Sequence, residues 1–132
     1  MRILIDTDVL LDVALKREPF IVDSRQVLSW SQGEPRQAAV GWHSLSNIAY
    51  LTGPAARGFI RDLLEFIEVA PTGMTEARQA LGFPMRDFED ALQAAAALAF
   101  DALFIVTRNT RDYKGSPVPS LSPAGFIKEL GK

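Results

Sequence analysis

Three apolar residues in a row, Ile3-Leu4-Ile5, two of them β-branched and closed by Asp6, read as a short strand buried on both faces. Beyond them the pattern changes period. Val9 to Leu15 reads as a short helix, capped by Asp6, Thr7 or Asp8 and broken by Lys16-Arg17-Glu18-Pro19. Val22, Val27, Leu28 and Trp30 give the stretch from Ile21 to Gln32 an apolar stripe, with Gly33 as its stop. Gln37-Ala38-Ala39-Val40-Gly41 is a second short apolar run, hence a second strand. Leu45, Ile48 and Leu51 predict a helix from Trp42 to Leu51, starting at or near Ser44. Gly53-Pro54 ends it and opens the next, which buries Phe59, Leu63, Leu64 and Ile67. Glu68-Val69-Ala70 is a third, weaker strand, followed by a short helix over Thr75 to Leu81. The helix from Asp87 to Phe100 is rich in alanine and apolar nearly all round after Gln93, so it should be covered on most sides. Ala102 to Thr107 is a strong strand, Arg108 to Ser116 a polar loop, Pro117 to Leu121 a short last strand. Ser122-Pro123 opens a final helix to Leu130.

The resulting order, β-α-α-β-α-α-β-α-α-β-β-α, has short connections throughout. Strands alternating with helices in this way predict an α/β fold, a mostly parallel sheet with helices on both faces. No repeat, linker or low-complexity tract divides the chain, so residues 1–132 are expected to form one domain, long enough for a proper core. There are no cysteines, which excludes disulfides, thiolate zinc sites and cysteine nucleophiles and suits a reducing cytoplasm. Neither a signal peptide nor a membrane span is expected. The formal charge of −2 argues against generic coating of nucleic acid, but leaves room for a local basic rim around an acidic site.

The acids then change the picture. In open parallel sheets, ligands sit beyond the carboxyl ends of the strands. Asp6 ends the first strand, Asp8 follows it, and Asn109 and Asp112 lie in the loop after the fourth strand at the same edge. Asp87 is explained as a helix cap. Asp90 is not, because a carboxylate on a covered helix needs a partner such as a cation. Asp12 and Glu89 read as solvated acids, and His43, a lone histidine near a helix start, calls for no direct role. Oxygen ligands from separate segments, with no cysteine and one histidine, describe a site for Mg²⁺ or Mn²⁺. Such a site suits phosphodiester hydrolysis.

Three stretches, Ile5-Asp6-Thr7-Asp8-Val9-Leu10-Leu11-Asp12, Asp87-Phe88-Glu89-Asp90-Ala91-Leu92-Gln93-Ala94-Ala95-Ala96 and Val106-Thr107-Arg108-Asn109-Thr110-Arg111-Asp112-Tyr113, together resemble the PIN-domain family of metal-dependent ribonucleases. A weaker fourth is Ser44-Leu45-Ser46-Asn47-Ile48-Ala49-Tyr50. The likeness is greatest to compact VapC-like toxins of toxin–antitoxin pairs. It implies a three-layer α/β/α sandwich and endonucleolytic cleavage of RNA with Mg²⁺ or Mn²⁺. It also implies a metal held by Asp6, Asp90 and Asp112, with Asp8, Thr107 and Asn109 in support. Arg86, Arg108, Arg111 and Lys114, with Lys16 and Arg17, are the implied contacts to flanking phosphates, which position RNA without reading it. A small antitoxin and a homodimer are the implied partners. Where the family usually has a second acid, a glutamate, this chain has Asn47, as does one subgroup. Replacing Asn47 with Glu is therefore expected to raise metal affinity by adding charge.

Two other readings of the same residues stand beside this one. A PIN-like module with weakened chemistry would bind RNA or protein only. A haloacid-dehalogenase-like phosphatase would use Asp6 as nucleophile and Asp8 as general acid, although no lysine followed by an acid pair completes that motif.

Overall fold

A computed structural model describes residues 1–132. Five parallel strands, β1 (Ile3–Ile5), β2 (Ala38–Val40), β3 (Glu68–Val69), β4 (Phe104–Val106) and β5 (Ser120–Leu121), lie in the order β3-β2-β1-β4-β5. The helices are α1 (Thr7–Ala14), α2 (Ile21–Gly33), α3 (Trp42–Thr52), α4 (Ala56–Leu63), α5 (Met74–Gly82), α6 (Phe88–Ala99) and α7 (Pro123–Leu130). The order of elements is the one the hydrophobic pattern predicts. β1 coincides with its apolar run, the other four strands are shorter than the predicted segments, and the polar loop after β4 contains a 3₁₀ turn, Thr110–Tyr113.

Alternation along the strands sorts the core into two layers. Ile3, Ile5, Ala38, Val40 and Val106 face one side, where they meet Val9 and Leu10 of α1, Val27 of α2, Ile48 of α3, Leu63 of α4 and Phe126 of α7. Leu4, Ala39 and Ile105 face the other, under Ala94 and Ala97 of α6. The alanines let α6 lie close to the sheet, and α5 packs on its outer side through Ala80 against Ala91 and Ala95. The result is an α/β/α sandwich. Ile3, Leu4 and Ile5 are fully buried, and burial of each such side chain contributes about 1.5–3 kcal/mol.

The topology places the site. From β1 the chain builds outward through β2 and β3, then crosses back to set β4 on the opposite side of β1. The carboxyl ends of β1 and β4 therefore form the switch point where open α/β sheets leave a crevice. Asp6 and Thr107 follow those two strands directly. The Asp6 N–H still donates to Val106 O at 2.9 Å, so the first site residue is tied to the sheet ladder.

Helix starts differ slightly from expectation. α1 begins at Thr7, with Asp6 as its cap through a 2.7 Å bond from the Thr7 N–H. α3 begins at Trp42, with Gly41 at the cap position. A Cβ there would lie 2.8 Å from His43 Cε1 and 2.9 Å from Gln93 Oε1, so a larger residue would displace one of those side-chain ends. Gly115 is required twice over, by a φ of +90° and by Pro84 O, 2.5 Å from where its Cβ would stand. The loop after β4 thus passes close to the loop before α6 at this glycine. No helix is long and apolar enough to cross a membrane.

Candidate functional site

Asp6 is buried and fully hydrogen-bonded. Its Oδ1 accepts from the Thr7 N–H at 2.7 Å and from Gln93 Nε2 at 3.0 Å. Its Oδ2 accepts from Thr107 Oγ1 at 2.8 Å and from the Tyr113 hydroxyl at 2.9 Å. Gln93 Nε2 also lies 3.2 Å from Thr7 Oγ1 and 3.0 Å from Ser44 Oγ, and Thr7 Oγ1 donates to Ser44 at 2.8 Å. Four elements thus lock one carboxylate. Burial and the neighbouring Asp6 charge push the Tyr113 phenol far above its ordinary value, so it is a permanent donor.

Gln93, Tyr113 and Ser44 were not singled out from the sequence. Gln93 carried a readable signal: it is the one polar side chain in the covered stretch of an alanine-rich helix, and a buried amide needs partners. Tyr113 and Ser44 gave none, because their partners lie 107 and 37 residues away.

Asp8 takes the Arg108 N–H at 3.1 Å and Asn109 Nδ2 at 3.0 Å on its Oδ2, while its Oδ1 is buried without a partner. Burial, then the Asp6 charge, raises its pKa to about 7, against the pull of the Arg108 N–H and guanidinium. Asp90 is likewise raised to about 7, by burial first and then by Asp6, Asp87, Asp112 and Glu89. Asp87 caps α6 through the Asp90 N–H at 3.1 Å, as expected. His43 is lowered by burial, against the pull of Glu89 and Asp6, and lines a separate recess with Trp42, Thr72 and Leu92.

Two expectations need correction. Asp12 is not a solvated acid: it is fully buried, and accepts from Arg108 Nε at 2.7 Å, Arg108 Nη2 at 3.1 Å and Ser24 Oγ at 3.0 Å. Arg108 is in consequence not a free phosphate ligand. Its guanidinium is spent on Asp12 and stacks 3.9 Å over the Phe20 ring. A planar bidentate fork against a carboxylate explains both choices.

The remaining residues divide between two adjoining clefts. Asp6, Thr7, Asp8, Asn47, Glu89, Asp90 and Asn109 line the first, with Arg17 at its edge. Asp112 lies in the second, about 1000 Å³, with Arg86, Asp87, Arg111 and Lys114; Asp90 belongs to both. Asn109, rather than Asp112, is the member of the loop nearer Asp6 and Asp8. Lys16 lines neither cleft.

The donor chemistry fits a hard divalent cation: carboxylate and amide oxygens, no thiolate, and a buried Asp8 oxygen without a hydrogen bond. As the side chains stand, no three carboxylates close on one point. Asp6 would have to release one of its four donors to become a ligand. Thr107 is the donor with a second acceptor in reach, Asp8 Oδ2 at 3.4 Å.

A family model described as PIN domain matches residues 2–111. The chain belongs to the PIN domain family. This decides between the readings of Asp6-Thr7-Asp8 in favour of the PIN domain over the phosphatase. Among solved structures, the PIN domain here is similar to a chain of a toxin–antitoxin complex from Klebsiella pneumoniae. The TM-score is 0.68 at 21% identity, with 91% of this chain and 96% of that one covered. It is also similar to a chain of VapBC2 from Rickettsia felis bound to a DNA fragment from its promoter (TM-score 0.64, 14% identity, 92% and 98% covered). A third is a chain of VapBC-1 from nontypeable Haemophilus influenzae (TM-score 0.62, 13% identity, 94% and 99% covered). At these identities the likeness is one of fold. No curated protein sequence matches the chain.

Proposed function

We propose that this PIN domain is a Mg²⁺- or Mn²⁺-dependent endoribonuclease, the toxin of a toxin–antitoxin pair. The observation that carries the proposal is a cleft at the sheet's switch point lined by Asp6, Asp8 and Asp90, adjoining one edged by Arg86, Arg111 and Lys114. The acids favour a cation and the bases favour a polyanion, and the two clefts share Asp90.

Asp6 and Asp90 would hold the metal, with Asp8 beside them and Asp112 on the far side of Asp90. A divalent cation bound there supplies polarisation of a phosphate oxygen and a lowered pKa for water. Gln93, Thr107 and Tyr113 fix Asp6 in place. The Asp12–Arg108 pair fixes the loop that presents Asn109. Arg86, Arg111 and Lys114 bind flanking phosphates and orient the strand, without selecting its sequence. In the reaction, a water oxygen bonds to phosphorus, a P–O bond of the chain breaks, and the leaving oxygen takes a proton. One of the fold relatives is a chain of a toxin–antitoxin complex, which supports a small protein partner. A homodimer and a cytoplasmic address belong to the same proposal.

The test is cleavage of mixed RNA with Mn²⁺ or with a chelator, by wild type, Asp6→Ala and Asp90→Ala. Cleavage is expected only with wild type and metal. Equal residual cleavage by all three proteins would instead leave a PIN domain that binds without cutting.

A further inference from the structure

Asn47 stands where the family resemblance expects an acid, and its amide is not idle. Asn47 Nδ2 donates to Glu89 Oε1 at 2.9 Å, joining α3 to the first turn of α6. Both side chains line the cleft that contains Asp6, Asp8, Asp90 and Asn109. A glutamate in a helix's first turn is ordinarily explained by the positive end of the helix, and Glu89 is exposed. That explanation requires no particular direction of the side chain. Here Glu89 is turned across the cleft towards α3.

The two residue types are matched. An asparagine can donate to a carboxylate without adding charge, whereas a glutamate at 47 would set two carboxylates side by side and disfavour ionisation of both. The cleft therefore keeps a carboxylate at this place, contributed by α6 instead of α3.

We propose that Glu89, oriented by Asn47, is the carboxylate that completes the cation site in place of an acid at position 47. This rests on the divalent-cation reading above. It also revises the expectation for Asn47→Glu, because that change alone would crowd Glu89; the informative change is an exchange of the pair.

The experiment is Mn²⁺ titration calorimetry on the full chain, with thermal melts to confirm that each variant is folded. Glu89→Gln keeps an acceptor oxygen for Asn47 and removes only the charge. It is expected to weaken Mn²⁺ binding by roughly 10–100-fold, the range typical for groups that support a metal site. The exchanged protein, Asn47→Glu with Glu89→Gln, is expected to bind within a few-fold of wild type. Unchanged binding by Glu89→Gln, with binding lost in Asp90→Asn, would overturn the role of Glu89 and leave the cation site standing. An exchanged protein as weak as Glu89→Gln would overturn the matched pair. A wild type that binds no Mn²⁺ would overturn this inference together with the cation site itself.

Discussion

Asp90 sits in the first turn of a helix, where its charge is favoured, yet its pKa is raised from 3.8 to about 7 by burial and by Asp6, Asp87, Asp112 and Glu89. In the folded chain the carboxyl therefore keeps its proton to a higher pH than in the unfolded chain. Its contribution to stability is full below about pH 4 and is lost as pH rises to about 7. Asp90→Asn, measured by thermal melts with a chelator present, is expected to raise the melting temperature. The gain should grow between pH 4 and pH 7 and level off above. A gain independent of pH, or a loss at pH 8, would contradict this. At the residue scale the sequence was legible where a side chain broke a local rule. Asp6 after an apolar strand and Asp90 on a covered helix both did so. Asp12 obeys the local rules of its own helix, and what buries it is Arg108, 96 residues on.

Among the elements, the loop after β4 is the one most dependent on distant parts of the chain. Arg108 ties it to α1 through Asp12 and to the segment before α2 through Phe20. Gly115 lets it pass close to the Pro84 backbone. Asn109 and Tyr113 reach Asp8 and Asp6 from this loop, so its position sets theirs. Breaking a buried ion pair by removing one partner costs about 3–5 kcal/mol. Asp12→Ala is expected near the lower end, about 3 kcal/mol by urea unfolding, because Arg108 is partly exposed and can turn to water. A loss below about 1 kcal/mol would mean that the clamp does not hold the loop. Helices and strands themselves were largely legible, since their apolar spacing is local. The loop was not, because its fixed points are side-chain contacts between segments far apart in sequence.

For the whole molecule, a net charge of −2 hides a division of labour. One cleft gathers Asp6, Asp8, Glu89 and Asp90; its neighbour adds Arg86, Arg111 and Lys114. Lys114→Ala is expected to weaken binding of a non-cleavable RNA about equally for every sequence. It should also lower the slope of log K against log salt by roughly one contact's worth, about 0.7 for a single strand. An unchanged slope would remove Lys114 from the RNA path. The sandwich could be read from alternating strands and helices. The strand order, and with it the switch point that brings β1 and β4 together, depended on which strands pair, and short apolar runs do not encode that.

Locating Mn²⁺ by its anomalous scattering in a crystal of the protein tests the central claim most directly. One ion is expected between Asp6 and Asp90, about 2.1 Å from a carboxylate oxygen of each, with Glu89 on its α3 side. A crystal soaked in Mn²⁺ that shows no ion at the carboxyl end of β1, or an ion bound elsewhere and none there, would contradict a metal-dependent nuclease built on Asp6.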